Sequence, residues 1–384
     1  MIIGEFCDVY PPHLDGVGMV VRSYAQELSK TQEACYYIAP KNSAKKFPGG
    51  GDGFPVIRYA SLPIPNEAYR LGLPGVDLSY QLDLRRIHFD IVHAHTPFTA
   101  GTEAQRIAAE RGIPIVGTFH SKYYDDVYQK THSDVITKAV VNLIVSFYER
   151  CDEVWTVNEA TADVLRGYGY RGEIVIMPNG TNLWYPTESD AKQAQERFGL
   201  GDGNVFLFVG QQNFKKNTDS ILKAAALFKQ TGANFKIVFA GQGPDAEKMH
   251  ALSEELGLTE QAVFTGHLSD REALMGLYAR ADVFVFPSLY DNAPMVVREA
   301  AAAGTPSILI EGSCAAEGVV DGVNGFLCKN TPEEICDTMQ RSLLTAKTVG
   351  ERARETIPIP WSRIMEDVVA RYDALIRHKK KSVI

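Results

Sequence analysis

Val205-Phe206-Leu207-Phe208-Val209-Gly210-Gln211-Gln212-Asn213-Phe214-Lys215-Lys216-Asn217 decides how the rest of the chain is read. Five apolar residues run without a polar break, the pattern of a strand covered on both faces, as in a parallel sheet. The run ends on a glycine, and an amphipathic helix is expected over 220–229. The order repeats: a strand over 236–240, then Gly241-Gln242-Gly243-Pro244, then a helix over 245–256. Strands over 262–265, 283–286 and 306–310, with helices over 270–279, 296–303 and 332–344, continue it. Strands alternating with crossover helices specify an α/β, doubly wound sheet.

The first half follows the same scheme. Strands are expected over 2–6, 34–39, 56–59, 91–93, 115–118, 154–156 and 174–176, and helices over 17–29, 99–111, 134–151 and 159–167. Asp134 is placed to cap the longest of these helices. Residues 178–190, rich in Pro, Asn, Gly and Thr, read as a hinge. A last amphipathic helix over 362–377 runs into a basic tail, 378–381, read as a solvated end. Two Rossmann-like domains are expected, 1–180 and 181–356, with 357–384 as a C-terminal helix.

Composition narrows the function. With 45% apolar and 22% charged residues the 384-residue chain has the balance of a globular protein. A net charge of -8 argues against a nucleic-acid partner. Six scattered cysteines without a C-x-x-C pair read as free thiols of a reducing compartment. Residues 1–6 lead directly into a strand, and no apolar run reaches the roughly 18–20 residues of a membrane span. The expectation is a cytoplasmic protein, peripheral at most to the inner face of the membrane.

Ligands of doubly wound sheets bind beyond the carboxyl ends of the strands, so the loops there carry the chemistry. The first holds His13, Gly16 and Gly18 before a helix whose free amides suit an anion. Val21 occupies the third glycine position of a dinucleotide fingerprint, which argues against NAD. His93 and His95 bracket a strand end, and no carboxylate stands beside them in the sequence, so zinc is a weak reading. His120 follows the next strand; it is either structural or a donor to a sugar hydroxyl or developing charge. In the second half Lys215 and Lys216 beside a helix start suit a diphosphate, although surface lysines are common. Gly210, Gly241 and Gly243 permit close backbone approach. Asp291 and Glu299 form a carboxylate pair that can hold vicinal hydroxyls, with a helix-dipole partner as the plainer role for Glu299.

Taken in order, these segments resemble the retaining nucleotide-sugar glycosyltransferases of family four (group 1), over nearly the whole chain. The set comprises the Gly16/Gly18 loop, Asp90-Ile-Val-His-Ala-His95, Thr118-Phe-His120, Pro178-Asn-Gly180, Val209-Gly210…Lys216, Gly241-Gln-Gly243, Ala281–Ser288 and Asp291…Glu299. The resemblance implies the GT-B fold, two Rossmann-like domains facing across a cleft, with the C-terminal helix returning to the N-terminal domain. It implies a retaining hexosyltransferase taking a nucleotide-diphosphate sugar as co-substrate, a UDP-sugar first and a GDP-sugar next. Asp291 would hold the transferred sugar, Glu299 the ribose and Lys216 the diphosphate. His120 would hydrogen-bond the sugar, and Asn292, Ala293, Pro294 and Met295 would touch sugar or phosphate. The backbone near Gly266, His267 and Leu268 would receive the base.

Two positions depart from that family. Gln211 stands where an arginine is usual, and Asp291 is one methylene shorter than the usual glutamate. No D-x-D occurs, so no metal or other cofactor is expected, and ammonium groups and helix amides would stabilise the leaving diphosphate. The acceptor is a sugar, a polyol or a lipid. Residues 64–75, with Tyr69, and 119–128, with Tyr123, resemble the diacylglycerol glucosyltransferase branch, and His13 and His95 join them as acceptor candidates. An epimerase or phosphorylase on the same fold, a nucleotide-sugar-binding protein without turnover, and a metal hydrolase built on His93, His95 and His120 are the alternatives. The oligomeric state is not legible.

Overall fold

The structure, a computed structural model, describes residues 1–10, 16–41, 53–64 and 70–382. It divides into two compact units, one of Met1–Asn179 with Trp361–Ile384 and one of Gly180–Pro360.

The first unit opens with β1 (Ile2–Phe6), α1 (Gly16–Thr31), β2 (Ala34–Pro40) and β3 (Val56–Tyr59). A short antiparallel pair, β4 (Ser61–Pro63) and β5 (Arg70–Gly72), comes next, then α2 (Leu78–Arg86). After it run β6 (Ile91–Ala94), α3 (Thr99–Arg111), β7 (Ile115–Phe119), α4 (Tyr123–Thr131) and α5 (Asp134–Tyr148). β8 (Glu153–Thr156), α6 (Glu159–Gly167) and β9 (Val175–Ile176) finish the sheet. Its order is β3-β2-β1-β6-β7-β8-β9, parallel throughout. The order reverses between β1 and β6, and a topological switch point lies there.

The second unit holds α7 (Glu188–Phe198), β10 (Asn204–Val209), α8 (Thr218–Lys229), β11 (Phe235–Ala240), α9 (Ala246–Glu255) and β12 (Ala262–Gly266). It continues with α10 (Arg271–Arg280), β13 (Val283–Phe286), α11 (Met295–Ala303) and β14 (Ser307–Ile310). β15 (Phe326–Cys328), α12 (Pro332–Ser342) and α13 (Ala346–Thr356) complete it. The order β12-β11-β10-β13-β14-β15 is again all parallel, with the switch between β10 and β13. Phe206, Phe208, Phe239, Phe284 and Phe286 fill its core from strands without exposed faces. The last helix, α14 (Trp361–Ser382), belongs to the first unit and packs on α1. No described helix is long and apolar enough to cross a membrane, and all six cysteines are free thiols.

Several local expectations change. Ser133 caps α5, its hydroxyl accepting from the Ile136 amide, while Asp134 is the first helical residue and accepts instead from the Tyr124 hydroxyl at 2.7 Å. The expected hinge ends early, because Thr187 and Asp190 form a reciprocal capping box that starts α7 at Glu188. The basic tail is the last turn of α14, and Lys379 Nζ lies 2.6 Å from Asp152 Oδ1. α7 and α13 were missed because they are largely polar, with one and three buried residues; β15 was missed because it is three residues long.

Candidate functional site

In the second unit the two loops that leave the switch point, after β10 and after β13, are joined by charge. Lys216 Nζ lies 2.5 and 2.7 Å from the two carboxylate oxygens of Asp291. The Ser288 hydroxyl donates to Asp291 Oδ2 at 2.6 Å and accepts from the amides of Tyr290 and Asp291, which fixes the carboxylate from its own loop. Lys216 is delivered by a short 3-10 turn, Phe214–Lys216. Asn217 ends that turn in the left-handed region (φ +58°), a conformation asparagine tolerates. Its amide donates to the Pro287 carbonyl at 2.9 Å and to Asn330 Oδ1 at 2.7 Å, tying the lysine loop to the aspartate loop. Sequence reasoning missed Asn217 as a site-building residue; an asparagine directly before a helix was the available signal.

The glycines act by backbone approach. A Cβ on Gly241 would lie 2.0 Å from the Gly210 carbonyl oxygen, and both residues have positive φ. A Cβ on Gly243 would lie 2.4 Å from the Gln212 carbonyl oxygen. Buried Gln212 reinforces the junction by donating to the Gly241 carbonyl at 2.8 Å. Beside it a crevice of about 300 Å³ is lined by Gln212, Gly241, His250, Phe264, Thr265 and Gly266, among others. The His250 and Phe264 ring centres lie 3.9 Å apart with their planes tilted by 34°. His267 is exposed, Leu268 is half-buried, and neither lines this crevice. Gln211 and Lys215 are exposed, with Lys215 Nζ 5.5 Å from the centre of the Tyr290 ring.

Asn292, Ala293 and Pro294 lead into α11, which begins at Met295 with no side chain capping it. Its first amides are thus positioned for an anion. Glu299 lies in the second turn rather than the first, accepting from Arg271 Nη2 at 2.8 Å and the Tyr278 hydroxyl at 3.3 Å. Asp291 and Glu299 therefore each have their own cation.

In the first unit Glu5, the fourth residue of β1, pairs in register with His93 on β6. The expectation that no carboxylate stands near His93 and His95 is overturned, because the parallel pairing brings Glu5 there from 88 residues away. Glu5 Oε2 lies 2.7 Å from His95 Nε2 and 3.4 Å from His93 Nδ1. These groups are close enough together for a shared ion, yet every ring nitrogen of the two histidines already has a protein partner. His93 meets the Tyr372 hydroxyl and Thr118 Oγ1, each at 2.6 Å, and His95 meets Glu5 and, through Nδ1, His120 Nε2 at 3.0 Å. Burial pushes the Glu5 carboxyl up to about 8, against a hydrogen bond from Tyr372, and pushes His95 down to about 3. His93 and His120 are likewise held well below the usual imidazole range by burial. The pairs are therefore neutral with neutral.

Gly16 and Gly18 lie on the first turn of α1, in the first unit. Tyr123 starts α4, buried, with its ring edge-on to Phe98 and Phe119. His95 is fully buried. His13 and Tyr69 lie outside the described residues.

A family model described as glycosyltransferase family 4 matches residues 14–185, and one described as glycosyl transferases group 1 matches 190–356. The chain is 27% identical over 320 residues to the alpha-monoglucosyldiacylglycerol synthase of Streptococcus pneumoniae, covering 80% of this chain and 70% of that protein. It is 27% identical over 351 residues to the synthase of the same name from Acholeplasma laidlawii, covering 86% and 85%. Anabaena HepE, crystallised with UDP and glucose, superposes with a TM-score of 0.78 over 97% of this chain and 99% of its own, at 17% identity. Sucrose-phosphate synthase from Thermosynechococcus elongatus gives 0.80 over 98% and 99%, at 19% identity. These two likenesses show the fold, the two-sheet GT-B architecture. The two family models, consecutive along most of the sequence, show the rest: the chain belongs to the group 1, family 4 glycosyltransferases.

Proposed function

We propose that the protein transfers a hexose from a UDP-sugar to a lipid hydroxyl, with retention and without a metal ion. The observation that carries the reading is the Lys216–Asp291 pair at the switch point between β10 and β13, beside the uncapped start of α11. An ammonium and helix amides suit a leaving diphosphate, and the adjacent carboxylate suits the hydroxyls of the sugar. Glu299 takes the ribose and the crevice lined by His250 and Phe264 takes the base. His120 keeps the role that the resemblance gives it, a hydrogen bond to the sugar. In the proposed step the bond from the anomeric carbon to the β-phosphate oxygen breaks, and the acceptor oxygen bonds to the same face of that carbon. The acceptor proton passes to the departing phosphate oxygen.

A lipid acceptor is favoured by the names of the two relatives and by exposed apolar side chains in the first unit. Leu62 and Leu71 stand out from the β4–β5 pair, Val76, Leu78 and Leu82 follow, and α5 exposes Val135, Ile136 and Leu143. The test is a transfer assay with UDP-glucose and diacylglycerol-containing vesicles in the presence of EDTA, with the product anomer read by NMR. An α-linked glycolipid is the expected product. Dependence on an added divalent cation, a β-anomer, or UDP release only with phosphate would each reject the corresponding part.

A further inference from the structure

Glu5 interrupts an otherwise apolar strand and is fully buried, and its carboxyl begins a line of hydrogen bonds that ends at His120. Glu5 Oε2 meets His95 Nε2 at 2.7 Å, and His95 Nδ1 meets His120 Nε2 at 3.0 Å. A neutral imidazole has one N–H and one acceptor nitrogen. Two neutral imidazoles joined nitrogen to nitrogen are therefore not independent. When Glu5 carries a proton it donates to His95 Nε2, the His95 proton must sit on Nδ1 and donate to His120 Nε2, and His120 is protonated on Nδ1. When Glu5 is ionised every step reverses, and His120 Nδ1 becomes an acceptor. Any mixed arrangement sets two donors or two lone pairs against each other in a buried place, which is unfavourable.

We infer that Glu5 and His95 are positioning residues that decide which ring nitrogen of His120 carries its proton, the neutral Glu5 form giving a donor at Nδ1. His93 stands outside the relay. Tyr372 donates to Glu5 Oε1 at 3.2 Å, the His93 Nδ1 proton goes to the Tyr372 oxygen, and Thr118 donates to His93 Nε2; this holds in both states. The titratable groups facing Glu5 are Tyr24 on α1, Cys35 on β2, His93 and His95 on β6, and Tyr372 on α14, with His120 one step further after β7. No lysine or arginine among the described residues pairs with it. Burial drives Tyr24, Cys35 and Tyr372 up and the histidines down, so these neighbours stay neutral while Glu5 titrates near 8. The donor form of His120 is then the neutral-pH form, the one able to hydrogen-bond a sugar oxygen; this consequence for turnover rests on the proposed function, whereas the relay does not.

The experiment is a pH titration of the full-length protein labelled with 15N-histidine, reading tautomers from two-bond 1H–15N spectra, beside kcat over the same range. His95 and His120 are expected to cross from Nδ1–H to Nε2–H together, with one midpoint near pH 8. Wild-type kcat falls through that midpoint, to about a tenth one pH unit above it. Glu5→Gln places an amide donor on His95 while its carbonyl still accepts from Tyr372, so it holds the Nδ1–H form and abolishes the alkaline fall. Tautomers that move separately, or stay fixed in the wild type from pH 6 to about 9.5, overturn the inference without needing any variant. Tautomers that cross together while kcat stays level support the relay and reject the role given to His120 in the reaction.

Discussion

Lys216 and Asp291 neutralise one another in the structure, with Nζ at 2.5 and 2.7 Å from the two oxygens and side chains only 15% and 20% exposed. Each is also the residue that the proposed reaction needs for something else. A bound diphosphate must share Lys216 with Asp291. The two substitutions should therefore separate. Lys216→Met is expected to lower kcat/KM for the UDP-sugar on the order of 10²–10³-fold, the usual cost of a removed donor to developing charge. Asp291→Asn should lower turnover as well, yet strengthen the binding of UDP alone several-fold, because a competing negative charge is gone. Calorimetry with UDP is the check; weaker UDP binding by Asp291→Asn would contradict it.

Glu299 accepts from Arg271 and Tyr278, so its carboxylate is held with a cation at its back. If it holds the ribose, the wild type should prefer UDP over 2′,3′-dideoxy-UDP by about 10- to 100-fold, the range for hydrogen bonds to a charged group. Glu299→Ala should remove that preference more than it weakens dideoxy-UDP. Thermal shift with both nucleotides measures it, and an unchanged preference would return Glu299 to a structural partner of Arg271.

The contrast between these sites shows what a sequence carries. Lys216, Asp291 and Glu299 were legible because each lies next to a strand end or helix start within one short stretch, where local pattern reports place. The parallel sheets were legible for a related reason: strands such as Val205–Val209 are apolar on both faces. Glu5 was not, since its meaning depends on a register that pairs it with His93 across 88 residues. Asn217 was missed as a site-building residue, since its link to Asn330 spans 113 residues. Ser133 lost its cap to Asp134 in the reading because both residue types favour that position, and only backbone geometry separates them.

The buried titratable groups of the first unit set a stability profile with a maximum. His93, His95 and His120 are depressed in the fold, so their contribution is present above the unfolded value and lost as pH falls through it. Glu5 and Asp8 are raised, to about 8 and about 6, so their contribution is present at low pH and lost as pH rises through those values. Three histidines outweigh two carboxyls on the acid side, and Glu5 alone dominates above neutrality. The Tm should peak between roughly pH 6.5 and 7 and fall on both sides. Glu5→Gln should flatten the alkaline side and steepen the acid side, where Glu5 no longer offsets the histidines. A wild-type Tm that rises steadily to pH 9 would contradict the neutral pairing of Glu5 with His95.

Gln211 is the departure with the largest electrostatic consequence. Where an arginine is usual in the family it resembles, this chain has an exposed neutral amide, while Lys215, four residues on, lies over the Tyr290 ring next to Asp291. The proposed function gives Lys215 the missing charge. An ordinary surface lysine changes little when removed, whereas Lys215→Ala is expected to lower kcat/KM for the UDP-sugar about tenfold, equivalent to about 1.4 kcal/mol. Gln211→Arg in the same protein should restore most of it, because a guanidinium from the β10 loop offers the diphosphate a bidentate partner. Gln211→Arg alone should raise donor affinity less than it does in the Lys215→Ala background, since two cations serving one anion are not additive. Equal gains in both backgrounds would mean that Lys215 never served the diphosphate, and the chain would then rely on Lys216 and the α11 amides alone.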